Sequence, residues 1–148
     1  MRTALRRFAH RASPDTLRLV FRKKRRASPA LGPFLTMAAA LDAAQRALLA
    51  AIPTSRDVGV PLAEALAGFD RELRRAEHLM PAWQNPQTDP WHRRCDAAIV
   101  ETRLEADRLR LEPGRLEFEM LNARIGDVLH PLEVFADAER ALRRGEEA

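Results

Sequence analysis

Two histidines and one cysteine have the spacing of potential metal ligands. His92 and Cys95 are three residues apart, so on a helix they would lie one turn apart and could share an ion with a third ligand such as His130. The runs Asp89 to His92 and Asp127 to His130 differ from the Glu-x-x-His motif of di-iron helical bundles. Asp89 also suits a helix cap, and a lone cysteine on an apolar face is usually a small buried hydrophobe. We therefore expect no metal and no cofactor, and keep His92, Cys95 and His130 only as secondary candidates.

Two tryptophans and two histidines are grouped around a proline-rich segment, residues 81–90. Trp83 and Trp91 bracket this segment, and His78 and His92 lie close by, so the four side chains are candidates for a ligand pocket at one end of the fold. The alternative is that both indoles close the core and that their N–H groups find polar partners. The sequence favours the alternative, because tryptophan is chiefly a burial residue.

The usual signatures of catalysis are missing from the sequence. The six glycines are scattered, so no loop offers the clustered backbone amides of a phosphate site. None of the three serines, Ser13, Ser28 and Ser55, stands in a Gly-x-Ser-x-Gly motif, and the chain has no tyrosine. The single cysteine excludes an intramolecular disulfide. We therefore predict that the protein is not an enzyme.

Hydrophobic spacing predicts an all-α fold, an antiparallel bundle of three long helices and a fourth helix broken near Pro131. Apolar residues recur in steps of three and four over residues 34–51, 62–80 and 118–142. The third helix is expected over residues 90–111, with Thr88 or Asp89 as its cap. Its apolar positions are less regularly spaced than those of the other helices, and they include Trp91, Cys95, Ala98, Ile99 and Leu104.

Residues 108–120 are compatible with two local structures. Apolar and charged residues alternate, so the segment could form a β-hairpin that pairs Leu109 with Phe118. However, a Pro113-Gly114 turn prefers a type II geometry, whose twist suits a hairpin poorly. The helical spacing that starts at Phe118 favours a helix–turn–helix at Pro113-Gly114, and this is our prediction.

Charge is divided unevenly along the chain. Residues 1–26 contain ten of the 25 Lys and Arg and a single acid, a balance of +9, whereas residues 27–148 have a balance of −5. Apolar residues in the first 26 positions share a face at helical spacing, so this basic arm is amphipathic. We predict two units, an arm with its linker over residues 1–33 and a helical bundle domain over residues 34–148.

The basic arm is suited to an anionic surface. Nucleic acid would be bound through phosphate neutralisation, and an anionic membrane would also accept the apolar face of the arm. An acidic protein surface, of a partner or of this chain's own body, is a third target, and a solvated tail is the alternative without function. The predicted contact residues are Arg6, Arg7, Arg11, Arg18, Arg22, Lys23, Lys24, Arg25 and Arg26.

The uncharged residues 27–41 follow the basic residues as in a secretory signal, and the arginine-rich start also resembles an organellar transit peptide. Against a signal, Pro29, Gly32 and Pro33 interrupt the apolar stretch, and the helical spacing continues past Asp42. We therefore expect a linker followed by a core helix. No uncharged apolar run reaches the roughly 18 residues of a membrane span, so we expect a cytoplasmic protein, peripheral to a membrane where the arm binds lipid.

Together these observations predict a non-enzymatic interaction or adaptor protein. Its helical body would bind a protein partner or a second copy, and its basic arm would attach to an anionic surface. A nucleic-acid-associated accessory protein is the alternative, followed by a metal- or ligand-binding bundle.

Overall fold

The residues that recur in steps of three and four fold as α-helices. The computed structural model describes residues 26–112 and 116–145, and these residues form helices and connecting segments without any strand. The predicted all-α class is confirmed. The α-helices are α1 (Leu31–Leu49), α2 (Leu62–Leu79), α3 (Asp89–Arg110), α4 (Phe118–Leu129) and α5 (Val134–Arg144), and the 3-10 segments Met80–Trp83 and His130–Glu133 follow α2 and α4.

Helix α1 begins at Leu31, three residues earlier than its apolar stripe suggests. Pro33 therefore lies in the first turn of the helix, where backbone N–H groups have no intrahelical acceptor and a proline costs nothing. Ser28 prepares this start, because its hydroxyl accepts a hydrogen bond from the Ala30 N–H at 3.1 Å and its carbonyl accepts one from the Leu31 N–H at 3.0 Å. Pro33, in the uncharged stretch, thus lies in the first turn of α1 and does not interrupt the helix.

The connection between α2 and α3 is fixed by one buried threonine. The Thr88 hydroxyl donates to the Trp83 carbonyl at 2.9 Å and accepts a hydrogen bond from the Asn85 N–H at 3.0 Å. The Asn85 side chain in turn accepts from the Thr88 N–H at 2.9 Å. Thr88 does occupy the N-cap position of α3, but its side chain stabilises the preceding loop and makes no cap hydrogen bond to the helix.

Helical structure on both sides of Pro113-Gly114 excludes the β-hairpin. Residues 108–110 belong to the last turn of α3, and residues 118–120 begin α4, so the residues that a hairpin would pair lie in helices. An ion pair between Glu112 and Arg124 connects the end of α3 to α4. Pro113 and Gly114 themselves lie outside the described residues.

The fourth apolar stripe is divided at the proline. Helix α4 ends at Leu129, the 3-10 segment His130–Glu133 contains Pro131, and α5 begins at Val134. The end of a helix leaves its last carbonyls without intrahelical donors. One of them, the Val128 carbonyl, accepts a hydrogen bond from the fully buried Thr102 hydroxyl of α3.

The helices pack around a continuous apolar core. Helix α1 packs along α2 and also against α5, whereas α3 packs against α4 and the His130–Glu133 segment. The ring of Phe34 lies 4.9 Å from that of Trp83, edge to face, and 6.4 Å from that of Phe135, centroid to centroid. Near the start of α1, the Ser28 N–H donates to the Leu142 carbonyl at 2.8 Å, so α1 and α5 run in opposite directions.

The last turn of α5 generates a prediction about glycine. Gly145 has φ +68°, and a Cβ atom there would lie 2.1 Å from the Arg26 carbonyl oxygen, whereas a Cβ atom on Gly126 would meet nothing within 4 Å. We expect Gly145→Ala to lower the free energy of unfolding by at least about 1–2 kcal/mol, since L-residues are strained at this φ. Gly126→Ala, inside α4, should raise it by about 0.5–1 kcal/mol. Urea denaturation of the full chain measures both, and equal stability of the two variants would contradict this description of the α5 terminus.

Candidate interaction site

Trp83 and His92 are brought together as buried packing partners. Their ring centroids are 4.6 Å apart, both side chains are buried, and Trp83 also packs on Phe34. His92 Nε2 lies 2.9 Å from the Met80 carbonyl oxygen, which can only accept, so Nε2 carries a proton. His92 Nδ1 lies 3.4 Å from a carboxylate oxygen of Asp96, one turn further along α3. These contacts attach α3 to the segment that follows α2.

The other two members of the predicted ligand pocket have different surroundings. The His78 side chain is exposed at the end of α2, and Trp91 is half-buried beneath the guanidinium of Arg94, 4.6 Å from the ring centroid. The structure therefore joins Trp83 to His92 and leaves His78 at the surface. Among the described residues neither Trp83 Nε1 nor Trp91 Nε1 has a hydrogen-bond partner, so the expectation that both indoles find polar partners is not met there.

The secondary metal candidates have separate environments. Cys95 is fully buried, and its thiol is uncharged at neutral pH because burial raises its pKa to about 12, with the charge of Asp96 acting in the same direction. His130 is exposed, and its Nδ1 lies 3.4 Å from a Glu133 carboxylate oxygen. Within residues 26–112 and 116–145, no group of three His, Cys, Asp or Glu side chains could hold a metal ion.

The buried thiol makes the stability of the protein depend on alkaline pH. In the unfolded chain Cys95 loses its proton near pH 9.0, whereas the folded protein retains it to about pH 12. Unfolding between these values therefore releases a proton, and the free energy of unfolding should fall by about 1.4 kcal/mol per pH unit as the pH rises from about 9.5 to about 11. The chain has no tyrosine and only two lysines, Lys23 and Lys24, so few other groups titrate there.

The control is Cys95→Ala, which lacks the titrating thiol. Urea denaturation of both proteins at a series of alkaline pH values should give a steep decrease for the native sequence and a shallow one for the variant. Parallel decreases in the two proteins would contradict the assignment to Cys95.

Helix α3 carries a second apolar stripe on the side that faces away from the core. Val100, Leu104 and Leu111 expose 61%, 52% and 81% of their surface, and Ala97 is also exposed. With Ala97, their spacing is three, four and seven residues, so Ala97, Val100 and Leu104 lie along one line on the helix, and Leu111, the residue that follows the last turn, continues it. We call these four residues the outer stripe of α3.

Leu104, one of the apolar positions of the third helix, belongs to the outer stripe and not to the core face. The core face of α3 comprises other residues, and they are buried: His92, Cys95, Ala98, Ile99, Thr102, Ala106 and Leu109. The irregular apolar spacing of α3 in the sequence reflects these two faces, because residues of the core face and of the outer stripe alternate along the chain. The sequence alone does not separate the two faces, because the core face includes the polar residues Thr102 and His92.

Helix α3 is also held against α2 by an ion pair. The Arg103 guanidinium donates two hydrogen bonds to the Glu77 carboxylate, at 2.7 and 2.8 Å. This bidentate contact raises the pKa of Arg103. Together with the Thr102 hydrogen bond, it fixes the rotation of α3 about its axis and so keeps the outer stripe directed away from the core.

Two grooves are lined mainly by apolar residues. The end groove, of about 890 Å³, lies between the loop after α1 and the start of α4, and its walls include Val58, Val60, Phe118 and Leu121. The α1–α5 groove, of about 490 Å³, has Phe34, Leu41, Leu132 and Phe135 in its floor and three acidic side chains at its rim, Asp42, Glu133 and Glu139.

Most of the predicted anionic-surface residues lie outside the described residues. Arg6, Arg7, Arg11, Arg18, Arg22, Lys23, Lys24 and Arg25 belong to residues 1–25, and Arg26 is exposed at the end of α5. Among the helices of the described ranges, none has the length and hydrophobicity of a membrane span. No known protein family, curated protein or solved structure matches the chain.

Proposed function

We propose that this protein is a non-enzymatic helical interaction protein. Its body, a bundle over residues 34–148, binds a protein partner or a second copy through the outer stripe of α3, and the basic arm attaches the complex to an anionic surface. The observation that carries the proposal is the outer stripe itself, an apolar line on a helix whose opposite face already forms the core.

An exposed stripe of this kind is suited to a second helix. Amphipathic helices dock against one another through apolar side chains that are spaced three, four and seven residues apart. Each apolar side chain removed from water contributes about 25 cal/mol per Å² of buried area. Charged residues border the stripe and would form the polar rim that interfaces usually have: Arg93, Asp96, Glu101, Asp107 and Arg108.

The charge of the arm supports the second part of the proposal. Residues 1–26 have a balance of +9, and the five positions from residue 22 to residue 26 are all cationic. Such a segment is attracted to lipid headgroups by about 1 kcal/mol for each cation near the surface. Its apolar residues, including Phe8 and Phe21, would enter the membrane interface, which nucleic acid does not offer.

The outer stripe is tested by Val100→Glu combined with Leu104→Glu. Both positions are exposed, so we expect the free energy of unfolding to change by less than about 1 kcal/mol in total. Association should be lost, because two charges would have to be buried in the interface. Sedimentation equilibrium of the intact protein measures self-association, and a photoreactive residue at position 104 captures a partner in the native host.

The matched control is Leu35→Glu combined with Leu49→Glu, two exposed leucines of α1 away from the stripe. It should associate like the native sequence, and a photoreactive residue at position 49 should give no crosslinked product. Equal association by the stripe and control variants together with equal crosslinking from positions 104 and 49 would contradict the proposal.

The arm is tested with phosphatidylserine-containing vesicles and with a DNA duplex. Phe8→Ser combined with Phe21→Ser should abolish vesicle binding by the full chain, because the apolar anchors are lost while all cations remain. Vesicle binding by the native sequence should survive moderate salt. Binding to the duplex alone, unaffected by these substitutions and declining steeply with salt, would replace membrane attachment with the nucleic-acid alternative.

A further inference from the structure

We propose that the α1–α5 groove is an intramolecular docking site for the chain's own basic arm. The docking is inferred from the apolar floor and acidic rim of the groove and from the position where the arm leaves the body. A further consequence, that docking competes with an external anionic surface, rests on the proposed function. The larger end groove is not assigned an occupant, since nothing in the structure indicates what covers it.

The groove combines an apolar floor with an acidic rim. Asp42 projects from α1, Glu139 from α5, and Glu133 from the segment between α4 and α5. Within the described residues these carboxylates pair with cations close to them in sequence, Asp42 with Arg46 and Glu139 with Arg143. Exposed pairs within one helix contribute little stability, so the carboxylates can accept arginines of the arm at small cost.

The arm leaves the body beyond the Glu139 end of this groove. The Ser28 N–H is bonded to the Leu142 carbonyl, and the Arg26 carbonyl lies against Gly145, so residue 26 is fixed beside the end of α5. Six residues of helix, about 9 Å, separate Gly145 from Glu139. Residues 22–25, all cationic, span up to about 14 Å when extended. The positive residues nearest the body can therefore reach the acidic rim.

The sequence of the arm complements the groove. Leu17, Val20 and Phe21 are spaced to share one face of a helix, and Arg18 and Arg22 would flank that face. An apolar face on the floor of the groove would place these arginines near the rim carboxylates. Tethering through a few residues supplies an effective concentration in the millimolar range, so even a weak contact is occupied.

Docking is tested with a nitroxide label on Thr16→Cys in the full chain. The native Cys95 is fully buried, and burial raises its pKa to about 12, so it stays unlabelled. We expect the amide signals of Ala38, Ala39 and Ala136, in the groove, to broaden at least about threefold more than that of Ala97 on the outer stripe. Uniform broadening of these signals would overturn the proposal.

Charge reversal separates specific docking from general attraction. Glu133→Lys combined with Glu139→Lys should abolish the selective broadening, because the rim would then repel the arm. Glu64→Lys combined with Glu119→Lys changes the net charge equally at exposed positions of α2 and α4 and should leave the broadening intact. Broadening that survives the groove reversal, or that disappears equally in both variants, would overturn the proposal.

A vesicle assay distinguishes the inference from the proposed function. If the docked arm is withheld from membranes, Glu133→Gln combined with Glu139→Gln should tighten binding to phosphatidylserine vesicles by at least about threefold, in proportion to the arm set free. Selective broadening without vesicle binding by any variant would support docking and contradict membrane attachment. Vesicle binding with uniform broadening would support attachment and contradict docking.

Discussion

Helix α3 has apolar residues on two sides, and a body of this size can bury only one of them. The buried side is selected by polar contacts. The Thr102 hydroxyl reaches the Val128 carbonyl at the end of α4, the His92 ring reaches the Met80 carbonyl, and Arg103 holds Glu77 of α2. With these contacts made, Val100 and Leu104 point away from the core, and the proposed binding surface follows from that orientation.

The sequence was a good guide where one apolar stripe was strict. In α2 the stripe from Leu66 to Ala76 is buried residue for residue, and the stripe from Phe118 to Leu142 becomes α4 and α5, divided at Pro131. Spacing favoured a helix–turn–helix over the hairpin at residues 108–120, and the helices on both sides of residues 113–114 exclude the hairpin. In these segments local periodicity and tertiary packing agree, because each helix has only one apolar face to bury.

Spacing alone could not orient α3. Leu104 is one of the apolar positions of α3 and is half exposed, whereas Thr102 and His92, both polar, are buried. Their partners lie 26 and 12 residues away in the sequence, so no local pattern reveals them. The same holds for Trp83 and His92, two of the four ligand-pocket candidates, whose rings pack on each other. The division of charge was visible from the sequence. The groove near the arm was not, because it forms only where α1 packs on α5.

Oxidative side-chain footprinting in an extract of the native host, compared with the same protein purified and dilute, tests the central claim most directly. The account predicts that Leu104 and Leu111 are oxidised in the dilute protein and protected in the extract, while Leu35 and Leu49 of α1 react equally in both. Equal oxidation of all four leucines under the two conditions would show that the exposed side of α3 has no partner and would contradict the account.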